Sequence, residues 1–263
     1  MPFHQPDLIR YFTFDSLDLH HLKHAVFTRV GGVSPMPWDT LNVGGTVGDA
    51  PERVMENRLR IVRSLNVPSE SLFDVWQVHS SHIMSTKAPR NPDSDYFKAD
   101  AIITDQKSVT LFMRFADCVP ILLYDPKNKV IGVIHSGWQG VVKHISRETI
   151  KTLVECYGTN PGDLVAAIGP SIGPDHYQIG PEVSAQVENS YLEDASEILL
   201  FRDGSNGLGT YFDLWKANTI DLQQSGVRNI EIAEICTACN LEDWYSHRGE
   251  GGRTGRFGVL FAL

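Results

Sequence analysis

Two apolar runs of strand length, Val119–Tyr124 and Lys129–Ile134, are separated only by Asp125-Pro126-Lys127-Asn128, and no other feature constrains the fold so tightly. Aspartate suits the first position of a type I turn, and the fixed φ of proline suits the second, so the runs are expected to fold back as an antiparallel hairpin. Symmetric closure sets Tyr124 against Lys129 and, counting outward, Cys118 against His135. Opposed residues hold their Cβ atoms about 4.5–5.5 Å apart, a gap that a metal can bridge with bonds of about 2.0–2.3 Å. A one-residue bulge would undo that pairing.

Around the hairpin the pattern alternates between two periods. Pro51–Leu65 carries Val54, Ile61, Val62 and Leu65 at helical spacing behind an acidic start at Asp49 and Glu52. Val141–Tyr157 reads as a second helix with Val142, Ile145, Thr149, Leu153 and Cys156 on one face and Gly158 as its stop. Pro181–Leu192 and Tyr211–Ser225 are further helices, the latter ending at Gly226. Val109–Phe115, Pro120–Tyr124, Val130–Ile134, Leu164–Ile168, Ile230–Ile235 and Val259–Phe261 read as strands. Without strict βαβ alternation, the expected class is α/β (α+β), with packed mixed sheets flanked by helices in a single domain over residues 1–263.

A net charge of −9 makes nucleic acid a poor partner, although an arginine pocket could still bind a small anion. No run approaches the roughly 18 apolar residues of a membrane span, and no secretory signal opens the chain, so a cytoplasmic location is expected. The cysteines Cys118, Cys156, Cys236 and Cys239 are then expected to be reduced and free for metal or catalytic chemistry. Cys236-Thr237-Ala238-Cys239 has the spacing of half a zinc knuckle or a redox pair; lacking a second such pair, it is assigned to packing beneath the site. Gly204, Gly207 and Gly209 lack the dinucleotide-binding spacing, and Gly249–Gly258, with Arg253 and Arg256, reads as a mobile loop that could alternatively cradle an anion.

Several ordered blocks together resemble one family. They are Thr28-Arg29-Val30-Gly31-Gly32-Val33-Ser34, Leu41-Asn42-Val43-Gly44, Gln77-Val78-His79, Ala116-Asp117-Cys118-Val119-Pro120 and His135-Ser136-Gly137-Trp138-Gln139-Gly140. Ile168-Gly169-Pro170-Ser171-Ile172-Gly173, the Cys236–Cys239 pair and Tyr245-Ser246-His247-Arg248 complete the set. The chain is similar to the YfiH-like, laccase-domain (polyphenol oxidase) family, now regarded as purine nucleoside phosphorylases. The resemblance implies that His79, Cys118 and His135 hold zinc, with copper as the alternative metal; His82 is the rival for the place of His79. Gln139, Ser171 and Gly249 depart from the family pattern, where arginine, cysteine and arginine are usual.

Two imidazoles and a thiolate leave a fourth tetrahedral position open, the pattern of catalytic zinc. The resemblance implies phosphorolysis of adenosine, inosine or guanosine, with adenosine deamination as a side activity; nucleoside and phosphate are the expected partners. Arg29 beside Gly31-Gly32 is the first candidate for phosphate and Arg248 the second, while Asn42 and Gln77 either bond the nucleoside or fix a loop. Asp117 either orients a ligand histidine or stabilises a turn. Other readings of the same residues are a copper-dependent phenol oxidase, a Cys118 nucleophile with His135 as its base, and a non-catalytic zinc module.

Overall fold

The computed structural model describes residues 3–204 and 207–263. Most strands fall in two six-stranded mixed sheets. In the first, Lys23–Phe27, Phe257–Ala262 and Thr110–Phe115 lie side by side antiparallel. In the second, Val165–Ile168, Val119–Asp125, Val130–Ser136 and Ala101–Thr104 do the same. Both faces of the second sheet are covered, which is why its strands read as unbroken apolar runs without alternation. Inward side chains of both sheets, among them Phe12, Val26, Met113, Leu122, Ile131 and Val165, share one apolar core. The other face of the second sheet packs on helices Ile145–Tyr157 and Leu214–Gln224 through Ile121, Ile134, Ile150, Leu153 and Ala217. Helix Pro51–Ser64 covers the first sheet with Ile61 and Val62.

The hairpin closes two residues away from symmetry. Asp125 pairs with Val130, Pro120 with His135 and Val119 with Ser136. Asp125 Oδ1 accepts the backbone N–H groups of Lys127 and Asn128 as expected of the turn. Lys129, however, adopts a left-handed conformation (φ 55°) and becomes a turn residue instead of a strand residue. Cys118 therefore faces Gly137, not His135. Because side chains alternate with period two, a shift of two leaves Cys118 and His135 on the same face as diagonal neighbours.

Other boundaries move as well. The expected helix Val141–Tyr157 splits into Trp138–Val142 and Ile145–Tyr157, since His144 between them is left-handed (φ 53°). Cys156 is exposed, off the apolar face assigned to it. Tyr211 and Phe212 end strand Gly207–Phe212, and the helix expected from Tyr211 begins at Leu214 behind its Asp213 cap. Within this three-stranded sheet, Gly204 pairs with Gly207 and Gly209 with Arg202; residues 205 and 206 lie outside the described residues. Between strands Thr110–Phe115 and Val119–Asp125 the chain passes from one sheet to the other through Ala116, Asp117 and Cys118. That crossover forms the floor of a cavity of about 840 Å³.

Candidate metal centre and substrate pocket

Among the described residues, the donor atoms of His79, Cys118 and His135 lie within 4.8 Å of one another. Cys118 comes from the crossover, His135 from the penultimate position of its strand, and His79 from a loop where it takes a left-handed conformation (φ 56°). The Cys118 sulfur is 3.9 Å from His79 Nε2, and the two imidazole rings meet edge to face at 5.0 Å. His82 is not part of this group; its carbonyl accepts the backbone N–H groups of Asp100 and Ala101.

One buried carboxylate organises the centre. Asp100 Oδ1 accepts from His135 Nδ1 at 2.9 Å and from the His79 backbone N–H at 3.0 Å. Its Oδ2 accepts from the backbone N–H of Val78 and Ser80 and from the Ser80 hydroxyl. The loop bearing His79 and the ring of His135 are thus fixed by the same group, which leaves Nε2 of His135 to face Cys118. Burial would raise the Asp100 pKa, but the bonds from His135 and Ser80 outweigh it and hold it at about 2. Burial also disfavours charge on Cys118 and His135, yet each stabilises the ion of the other. Cys118 falls to about 6, and His135, which also bonds Asp100, rises to about 9.

Asp117 is not the carboxylate beneath a histidine. Its oxygens accept from the Thr237 hydroxyl and the Arg248 backbone N–H, so it ties the crossover to two other loops, and a left-handed backbone (φ 78°) turns it there. Gly137 is forced by the centre itself. A Cβ there would stand 2.8 Å from the Cys118 sulfur and 3.0 Å from His79 Cδ2.

The pocket above this floor is lined by Arg58, Arg114, Arg248 and Arg256, giving a cationic lining on an acidic protein. Trp76, Tyr96, Trp138 and Tyr177 supply its aromatic walls. Arg248 lines the pocket, anchored through one nitrogen on the carbonyls of His176 and Gln178. Gln77 also lines the pocket, but its amide bonds the backbone and side chain of Arg114.

Two expected substrate residues stand behind the wall. Arg29 is buried, bonded to Asp39, Glu250 and the Leu241 carbonyl and stacked on Tyr245, so its guanidinium is engaged by the protein. Asn42 is fully buried and fixes the backbone of Gly44 and Arg256. Gln139 lines the pocket without charge, Ser171 accepts from Trp215 Nε1, and Gly249 donates to Ser246.

Arg58 and Arg256 reach the pocket that Arg29 does not. Arg58 grips the Val43 carbonyl through Nε and Nη2, and Arg256 grips the Thr254 and Gly255 carbonyls through Nη1. Each keeps other guanidinium N–H groups free of protein acceptors among the described residues. The loop carrying Arg256 is tied down through Glu250, which accepts from the Ser246 backbone and the Thr254 hydroxyl. The Cys236–Cys239 pair also departs from expectation: Cys236 is buried, but Cys239 is exposed, so packing accounts for only one of them.

The fold that carries this crossover is shared with solved structures of YfiH-type proteins. The hypothetical protein YfiH of Bacillus licheniformis matches with a TM-score of 0.88 at 28% identity, covering 100% of this chain and 99% of that one. YlmD of Geobacillus stearothermophilus matches at 0.87 and 29%, covering 98% and 97%. The chain belongs to the family described as multi-copper polyphenol oxidoreductase laccase, whose model residues 23–263 match. Among its relatives is a purine nucleoside phosphorylase of Deinococcus radiodurans, 35% identical over 92% of this chain and 89% of that protein. Purine nucleoside phosphorylase YfiH of Escherichia coli is 32% identical over 90% and 91%. No helix among the described residues is long and apolar enough to cross a membrane.

Proposed function

We propose that the protein is a zinc-dependent purine nucleoside phosphorylase, converting adenosine, inosine or guanosine and phosphate to the free base and ribose 1-phosphate. Adenosine deamination is a proposed side activity. The observation that carries this reading is the convergence of three donors at the floor of an arginine-lined cavity of about 840 Å³. Two imidazoles and a thiolate suit zinc, and the missing Cβ at Gly137 leaves the donors room to close on an ion. Bound by His79, Cys118 and His135, zinc would supply Lewis acidity at the base of the pocket.

In phosphorolysis a phosphate oxygen forms the new bond to the sugar carbon while the glycosidic electron pair leaves with the purine. The free N–H groups of Arg58, Arg248 and Arg256 suit a phosphate, held close to the positive charge that develops on the sugar. Trp76, Tyr96 and Tyr177 offer ring faces to a purine. Asp100 keeps the ring of His135 oriented throughout.

The test follows hypoxanthine release from inosine with and without phosphate. Phosphate-dependent release, lost on chelation and restored by zinc, is expected; no such product at high enzyme concentration overturns the reading. Adenosine without phosphate should give inosine. The description of the matched family favours copper and phenol oxidation as a second reading, which stoichiometric copper with strong visible absorption would support. The low Cys118 pKa beside His135 favours a thiol nucleophile, and thiol-reagent inactivation that persists through metal removal and restoration would point there. Neither a nucleophile nor its base accounts for a third donor at His79.

A further inference from the structure

Asp175, His176, Cys236 and Cys239 form a second donor group on the far side of the pocket wall, with all four ligand atoms within 4.8 Å of one another. We propose that these four residues bind a second zinc ion, in a closed site that fastens the wall of the pocket. The separations have the size of tetrahedron edges. Cys236 Sγ and Cys239 Sγ lie 3.8 and 3.5 Å from His176 Nδ1, Cys239 Sγ lies 3.9 Å from Asp175 Oδ2, and that oxygen lies 3.3 Å from His176 Nδ1. With zinc bonds of about 2.3 Å to sulfur and 2.0–2.2 Å to nitrogen and oxygen, tetrahedral angles give edges of about 3.4–3.8 Å.

Two sulfurs, one imidazole and one carboxylate complete a four-coordinate shell without water, the pattern of structural zinc. The cradle is shaped for close approach. The Gly173 backbone N–H donates to Cys236 Sγ at 3.2 Å, and a Cβ on Gly173 would meet Asp175 Oδ1 at 2.8 Å and Cys236 Sγ at 3.2 Å.

The donors come from two turns, and both turns lead into the pocket. His176 precedes Tyr177, an aromatic wall residue, and its carbonyl with that of Gln178 anchors Arg248. Cys236 precedes Thr237, whose hydroxyl donates to Asp117 at the crossover. An ion joining the turns would hold Tyr177 and Arg248 in place at a distance from the reacting atoms.

Zinc titration of the reduced, metal-stripped full chain tests this without reference to any activity. Two equivalents per chain are expected for the unaltered protein, one for Cys118→Ala, one for Cys239→Ser and none for the combined variant. Alkylation rates read by peptide mass spectrometry give a second readout that does not depend on the variants folding. Zinc should slow alkylation of the exposed Cys239 at least about tenfold, chelation should restore it, and Cys156, exposed and outside both groups, should not respond. Unchanged Cys239 alkylation in saturating zinc overturns the proposal. So does a Cys236–Cys239 disulfide that forms in the presence of zinc.

Discussion

Cys118 and His135 stand at the ends of paired strands, with Asp100 buried beneath them, whereas the exposed Asp175, His176 and Cys239 and the buried Cys236 stand on two turns. The first group offers three donors and faces a cavity. The second offers four donors and lines none of that cavity. Asp100 is fully buried and accepts from four protein donors of the His79 loop as well as His135, while Asp175 is exposed. A frame made rigid before any ion arrives suits an ion that must keep one position free. A frame made of turns gains its order from the ion instead.

The sharpest way to break this contrast is to remove one sulfur from each group. Cys118→Ala should lower kcat/KM for inosine phosphorolysis by roughly 10³-fold or more, because the metal is lost from the reacting site, while Tm moves by no more than about 2 °C. Cys236→Ser with Cys239→Ser should instead lower Tm by several degrees, on the order of 4–8 °C, as the turns lose their tie. The reverse pattern would mean that the open and closed roles have been assigned to the wrong groups. Next in size is Asp100→Ala, which strands the buried His135 N–H and three partly buried backbone N–H groups. It should destabilise the fold by about 3 kcal/mol and weaken zinc at the first group by roughly 10–100-fold, both measurable by denaturation and competitive chelation. Zinc at the second group should be unaffected.

The hairpin shows why part of this was legible in the sequence. The turn lies where the sequence put it, but the left-handed conformation of Lys129 moved the register by two residues. A two-residue shift preserves the face of every side chain, so Cys118 and His135 still meet; a one-residue shift would have put them on opposite sides of the sheet. His79 sits on a loop whose path no local pattern fixes, and only the family resemblance pointed to it. Asp100, between two alanines ahead of a strand, has no local signature at all. Arg58 did leave a signal: it stands four residues after Val54 and three before Ile61, on the apolar face of its helix, where a lone cation calls for an explanation. Arg114 interrupts an otherwise apolar strand in the same way. Arg29 was misjudged because a matching block says that a residue matters without saying whether it faces substrate or its own protein.

That distinction gives the third prediction. Arg58→Met or Arg256→Met should raise KM for phosphate by roughly thirtyfold, the equivalent of about 2 kcal/mol for a charge-assisted bond, with little change in Tm. Arg29→Met should do the opposite, lowering Tm while leaving KM for phosphate within about threefold, since its bonds are all internal. Equal effects on KM from Arg29 and Arg256 would sink the placement of phosphate on this wall.

The last difference between the two groups lies in their protons. Without metal, Cys118 titrates near 6 and His135 near 9, because burial, which opposes both charges, is outweighed by their attraction and by Asp100. Between those values the thiol is already a thiolate and the imidazole still carries its extra proton. Zinc must therefore displace one proton, from His135. Its apparent affinity should rise about tenfold per pH unit across that window and level off above it; below the lower value the Cys118 proton competes as well and the slope steepens. Competition with a chromophoric chelator on Cys239→Ser, where only the first group is complete, measures this directly. A flat profile between about pH 6.5 and 8.5 would show that His135 is neutral in the metal-free protein. The rigid frame beneath it would then be preparing a ligand that needs no deprotonation.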